Sequence, residues 1–269
     1  MKFQLRGSKP REHMLAAAIL GCGFYALISI QSCITSGDLT AECRHNLIQI
    51  VLALHNYSNL NDDLYPLTAS CIEKLPRESR LSWLAEVDPY VAHSSTAVFR
   101  TVEPWDSAYN RNLALKRDAA VFRCPFWGRR DARASQVVPF THYVGVTGVG
   151  KDAGALPRTD RRAGIFGFIE NTKLADVKDG LSNTMCVIET ESHNGPWTAG
   201  GLATARSLDP ASRPYIGKGR QFGGIHPGGV MIAFADGSVR FVRVSVDPKI
   251  IEAIATIAGG EAVNIDDTE

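Results

Sequence analysis

The run Phe222 to Val244, FGGIHPGGVMIAFADGSVRFVRV, leaves the chain little local choice. A Gly-rich stretch, 223–229, holds His226 and Pro227 and opens onto the apolar run 230–235. Asp236 and Gly237 follow. Then Val239, Phe241, Val242 and Val244 alternate around Arg240 and Arg243. Two strand-like runs joined by Asp-Gly predict a β-hairpin. Asp236 and Gly237 are expected as the two central residues of a type I′ turn, which needs positive φ at both. His226 precedes Asp236 closely enough to suggest a catalytic or metal-binding pair. A strand rises ~3.3 Å per residue, so the intervening run holds them at opposite ends of one strand. His226 is therefore read as ordering a loop, and Asp236 and Gly237 as setting a turn.

The other strong signal is at the N-terminus. Lys2, Arg6, Lys9 and Arg11 precede a stretch, residues 14–37, that contains no charged side chain. About 20 apolar residues cross a bilayer as a helix. The basic flank keeps residues 1–13 in the cytoplasm. A cleaved signal peptide and a lipoprotein signal ending at Cys22 compete with this reading. The apolar run continues past Cys22 through Phe24, Tyr25, Leu27 and Ile28, which suits an uncleaved anchor. The expected organisation is a basic cytoplasmic N-terminus (1–13), a transmembrane anchor (14–37), an extracytoplasmic domain (38–261) and an acidic tail (262–269). Without the anchor about 230 residues remain, enough for one domain with its own core.

From residue 39 to 58, Leu39, Cys43, Leu47, Val51 and Leu54 recur every three or four positions, which predicts an amphipathic helix. The segment 59–63 and Pro66 end it. Downstream, residues 81–91 read as a short helix or strand. Asp106 is placed to cap a helix over 107–116. Residues 121–124 read as extended, and 142–146 and 184–189 as strands. Residues 192–221 read as a polar loop. Asp247 and Pro248 supply the N-cap and first position of a last helix. Ile250, Ile251, Ile254 and Ile257 line its inner face, and Gly259-Gly260 end it. One strong helix followed by strands joined through turns predicts an α+β fold, with the membrane helix and amphipathic helix packed on an antiparallel sheet.

Several ordered segments resemble a planctomycete family of pilin-like proteins of unknown function. They begin with Cys43-Arg44-His45-Asn46-Leu47 and Ala53-Leu54-His55-Asn56-Tyr57. Pro104-Trp105-Asp106-Ser107 and Phe122-Arg123-Cys124-Pro125 follow. Asp179-Gly180-Leu181-Ser182-Asn183-Thr184 and Pro196-Trp197-Thr198 come next, and His226-x9-Asp236-Gly237 closes the set. The prepilin-type box Gly-Phe-Thr-Leu-Ile-Glu that usually opens such chains is missing. The resemblance implies a pilin-like fold and an envelope location, and no chemistry. Cys43 and Cys124 both lie in family-like segments, so they are the pair expected to form a disulfide if the domain lies outside the cytoplasm. The alternative is that Cys43, Cys71, Cys124 and Cys186 are all small buried hydrophobes.

Net charge is +1, which supplies no overall field for nucleic acid. No Cys-x-x-Cys pair, Gly-x-Ser-x-Gly elbow, His-Glu-x-x-His motif or complete phosphate loop occurs. The expectation is a non-enzymatic, single-pass protein of the cytoplasmic membrane, with no catalytic residue, cofactor or metal. Its partners would be the membrane and other envelope or pilin-like proteins. The competing expectation is an extracytoplasmic binding module or hydrolase. That reading gains weight if Glu189, Glu191, His193 and His226 meet in the fold.

Overall fold

The computed structural model describes residues 39–261 apart from 73, 92–96 and 128–136. The predicted anchor, the acidic tail and His93 lie outside the described residues. No helix of the described residues is long and apolar enough to cross a membrane. Contacts divide the chain into units Met1–Ala41 and Glu42–Glu269.

Helix α1 spans 39–60. Cys43, Leu47, Ile50, Val51 and Leu54 are buried on its inner face. Full burial of an aliphatic side chain stabilises by about 1.5–3 kcal/mol, so this stripe accounts for the helix docking. Ile48 and Leu52 lie on the outer face, and Leu52 is 56% exposed. The helix ends where Asp62 and Asp63 take positive φ. The Asn61 side chain there donates back to the Tyr57 carbonyl at 2.7 Å.

Five strands form one sheet: β1 (Tyr143–Val149), β2 (Met185–Glu189), β3 (Ala205–Leu208), β4 (Gly229–Phe234) and β5 (Val239–Arg243). Their order is β3-β1-β2-β4-β5. The pairs β1/β2, β2/β4 and β4/β5 are antiparallel, and β3 joins β1 in parallel. The fold is thus mixed α+β, and the expected purely antiparallel sheet is corrected at its β3 edge. The sequence Ala-Arg-Ser-Leu of β3 carries neither an apolar run nor a clean alternation, so the polar reading of 192–221 hid it.

Successive strand residues face opposite sides. On β4, Met231 and Ala233 join a core with Leu47, Val51 and Leu54 of α1 and with Trp83, Phe122 and Trp197. Val230, Ile232 and Phe234 join a second core with Phe222, Ile251 and Ile254. The sheet is therefore covered on both faces, which explains why β4 is apolar at consecutive positions. The second cover includes α4 (Pro248–Ile254). Asp247 caps it, its side chain accepting from Lys249 N. The helix stops at Ile254, before the predicted Gly259-Gly260, although Ile257 is still buried.

The middle of the chain differs in detail from expectation. Residues 81–91 give the short helix α2 (Trp83–Val87) and a 3-10 turn, Asp88–Tyr90. Ser107, not Asp106, caps α3 (Ala108–Lys116), its hydroxyl accepting from Asn110 N. The stretch before Cys124 is a 3-10 turn, Ala120–Phe122, rather than extended.

The hairpin is present, and its turn is corrected. Ala233 pairs with Val239, and Phe234 N donates to Ser238 O at 2.9 Å. Gly237 N donates to Phe234 O at 3.0 Å, so Ala235 and Asp236 are the central turn residues. Gly237 follows them with φ +91°, and Asp236 keeps negative φ. This is a three-residue loop with a Gly bulge, a close relative of the two-residue turn with the same Asp-Gly signal. Asp236 Oδ1 accepts from Ser238 N at 2.9 Å. The turn is tied down on both sides. Ala235 N donates to Thr184 O, and His55 of α1 meets Ala235 O at 2.7 Å. Gly229 opens β4 because its backbone lies against the Val242 carbonyl and the Phe241 ring, where a Cβ has no room.

A Cβ at Gly237 would meet nothing closer than His55 Cε1 at 3.8 Å, so only the backbone conformation resists substitution. Gly237→Val is expected to destabilise the protein by ~1–3 kcal/mol through strain at positive φ. Asp236→Asn, which keeps the acceptor for Ser238 N, is expected to melt like wild type. Thermal melts of the two variants check this, and a wild-type melt for Gly237→Val would refute the turn.

A buried cysteine, histidine and glutamate centre

Four chemically capable side chains meet where α1 crosses the sheet. Cys43 comes from the buried stripe of α1. Cys124 follows the Ala120–Phe122 turn. Glu189 is the last residue of β2. His226 lies in the Gly-rich loop that leads into β4. All four are buried, with Glu189 at 0% and His226 at 5% exposure. Their ligand-capable atoms lie within 4.8 Å of one another.

Each is positioned by its local structure. Cys124 N donates to His142 Nδ1 at 3.2 Å, which fixes the segment before Pro125. Burial, and then the charge of Arg123, push His142 down to about 4, so it is a neutral acceptor near pH 7. Glu189 lies opposite Tyr143 of β1 in the antiparallel register. Its backbone carbonyl receives Gly223 N at 2.8 Å, anchoring the Gly-rich loop. Its Oε2 accepts from Met231 N at 3.0 Å, and its Oε1 faces His226 Nε2 at 3.2 Å. The Phe126 ring packs edge-on against the imidazole, with centroids 4.6 Å apart.

The sulfur atoms of Cys43 and Cys124 are 2.6 Å apart, and Cys124 Sγ lies 3.7 Å from His226 Nε2. Hydrogen bonding to Cys124 and burial both push the Cys43 thiol well above its ordinary range. Burial opposes charge on His226, but its contacts with Cys43 and Glu189 outweigh that and carry it up to about 9. Near pH 7 His226 is thus protonated, with Glu189 Oε1 beside it.

The other residues named from sequence lie elsewhere. Asp236 and Gly237 are in the β4–β5 turn, at the far end of β4 from His226. His193 is exposed and takes φ +50°, and its carbonyl accepts from Arg206 Nη2 at 3.0 Å. Glu191 Oε1 accepts from Gly219 N. His45 is exposed on α1 and meets Gln49. Of the four acid and His residues that would favour a binding or hydrolytic site, only Glu189 and His226 come together. Cys43 and Cys124 complete the cluster instead. Sequence reasoning expected a Cys43–Cys124 disulfide; the structure holds the two as facing free thiols, and their meeting with Glu189 and His226 was missed. Glu189 ends an apolar strand, where a carboxylate usually marks emergence into solvent, so no local pattern announced it.

The raised His226 pKa has a defined sign. A group bound more tightly by protons when folded stabilises fully below its unfolded value, ~6.5, and loses that stabilisation as pH rises through about 9. Denaturant unfolding of the full-length chain in detergent is expected to show a loss on the order of 1–3 kcal/mol between pH 6 and pH 10. His226→Gln should flatten that dependence. A flat wild-type profile would show that the imidazolium–carboxylate pair does not contribute.

No curated protein and no solved structure matches the chain. A family model does, over residues 40–249, a span from the start of α1 to the start of α4 that includes all four residues of the buried centre. The chain belongs to the family described as Protein of unknown function (DUF1559).

Proposed function

We propose that this chain is a pilin-like envelope protein without enzymatic activity. Residues 14–37 anchor it in the cytoplasmic membrane, and the domain from residue 38 onward lies outside. There it makes structural contacts with other envelope or pilin-like proteins, and a Cys43–Cys124 disulfide clamps α1 to the domain. The planctomycete pilin-like resemblance, with its His226-x9-Asp236-Gly237 box, supports the same role.

The observation that carries this reading is the facing pair of buried sulfurs, 2.6 Å apart, on segments 81 residues apart in sequence. Disulfides persist in oxidising compartments, so such a pair suits a domain outside the cytoplasm. Its formation takes two electrons and two protons from the thiols, accepted by an oxidised dithiol carrier. In the chain-entropy account a loop of this length contributes about 4–5 kcal/mol. The clamp acts on the helix that follows directly on the predicted anchor, where a surface assembly transmits load. Glu189 and His226 are enclosed and face each other, Nε2 to Oε1 at 3.2 Å, which suits an architectural role better than turnover of a substrate.

Mass analysis of non-reduced peptides from native membranes should find Cys43 joined to Cys124. Crosslinking of intact envelopes should join the domain to other surface proteins or to further copies of itself. Free thiols at both positions, with a strictly monomeric protein, would overturn the reading.

A further inference from the structure

We propose that, with its thiols reduced, the buried centre is a closed four-ligand site for one thiophilic divalent cation of the zinc type, bound by Cys43 Sγ, Cys124 Sγ, His226 Nε2 and Glu189 Oε1. The proposal uses the cysteines of the suggested clamp, and the two states exclude each other. It does not depend on the envelope role.

The donor set is the first argument. Two thiolates, an imidazole and a carboxylate are the ligand types that zinc takes in tetrahedral sites. All four side chains are buried and come from four separate segments, so the site forms only in the folded chain. Geometry is the second. Zinc–ligand bonds of ~2.0–2.3 Å at tetrahedral angles put sulfur and nitrogen about 3.6 Å apart, and nitrogen and oxygen about 3.4 Å apart. The observed separations are 3.7 Å for Cys124 Sγ to His226 Nε2 and 3.2 Å for His226 Nε2 to Glu189 Oε1. Two sulfurs on one zinc stand about 3.8 Å apart. The observed 2.6 Å must therefore open by about 1 Å on binding.

Orientation is the third argument. Glu189 Oε2 is held by Met231 N, which leaves Oε1 directed at the centre. The Cys124 backbone is pinned through its N–H to His142. Binding changes no oxidation state. The two thiol protons leave, His226 binds through a neutral imidazole, four coordinate bonds form, and the bound site carries a net charge of −1. The sulfur lone pairs that would form the S–S bond are then engaged by the cation, so a bound cation blocks oxidation and a disulfide blocks binding.

The test uses the full-length chain in detergent, reduced without oxygen, freed of metal and titrated with cobalt(II), which reports its ligands by colour. One equivalent should give sulfur-to-cobalt charge transfer and the strong visible bands of a tetrahedral ion, and zinc(II) should bleach both. The same protein after oxidation, with the Cys43–Cys124 disulfide verified by mass, should give neither. Cys43→Ser should abolish the charge-transfer intensity from that sulfur. His226→Gln should weaken binding by more than the ~10–100-fold that loss of an outer-shell partner costs. A folded, reduced wild-type chain without the charge-transfer band overturns the site. So does a reduced chain that loses its fold and is not restored by cobalt or zinc. Either failure leaves a mass-verified clamp in native membranes standing. A chain that binds cobalt but shows no disulfide in native membranes removes the clamp and keeps the site.

Discussion

A carboxylate with no exposure to water has to be paired inside the protein, and Glu189 is such a carboxylate. Its two oxygens and its backbone organise most of what surrounds them. One oxygen holds the N–H of Met231 at the start of β4, and the other holds His226 in the loop before it. The backbone carbonyl receives Gly223, where the same loop begins. The entry of the chain into the hairpin is thus fixed from the end of a neighbouring strand. The conspicuous His226 is in place because a strand residue far away in sequence demands a partner. Removing Glu189 alone would leave a buried imidazolium uncompensated, and removing His226 alone would leave a buried carboxylate in the same condition.

The other end of the hairpin is fixed by the same logic with neutral groups. The Asp179-to-Thr184 segment supplies Thr184 O for Ala235 N, and α1 supplies His55 for Ala235 O. Three segments that stand out separately in the sequence are joined there at a three-residue loop. One end of β4 is held by charge and the other by backbone groups, while α1 passes over both. Its docking on the sheet is therefore specified in position as well as in hydrophobicity. Cys43 near the beginning of the helix and His55 near its end mark the two ends of that contact.

Periodicity made much of this readable from sequence. The buried stripe of α1 repeats over enough residues to show its period, β2 and β4 show as unbroken apolar runs, and Asp247-Pro248 marks the start of α4. What escaped is what period cannot carry. Strand β3 has four residues, pairs in parallel and draws its place from β1 rather than from its own composition. The turn at Gly237 differs from expectation by one residue, because Asp-Gly serves both a two-residue turn and a loop with a Gly bulge. Ser107 displaced Asp106 as the α3 cap, since both are good caps and register decides between them. The buried centre was half visible. Its cysteines stood out as a pair, but Glu189 and His226 join them through contacts spanning 37 to 102 residues, which no local window contains.

The enclosure of the centre bears on where this protein meets anything else. Its chemically capable side chains face inward, and the strand residues of both sheet faces are covered, by α1 on one side and by α4 with the 215–222 segment on the other. What remains exposed is the outer surface of the covering elements. On α1 that surface carries Ile48 and Leu52, exposed and four residues apart, on the side opposite the buried stripe. Holding α1 at Cys43 and at His55 keeps that outer face in a defined orientation. The proposed disulfide or bound cation beneath the helix would act on any surface contact indirectly, by fixing the element that presents it. The strength of that control would depend on which of the two states the sulfurs are in.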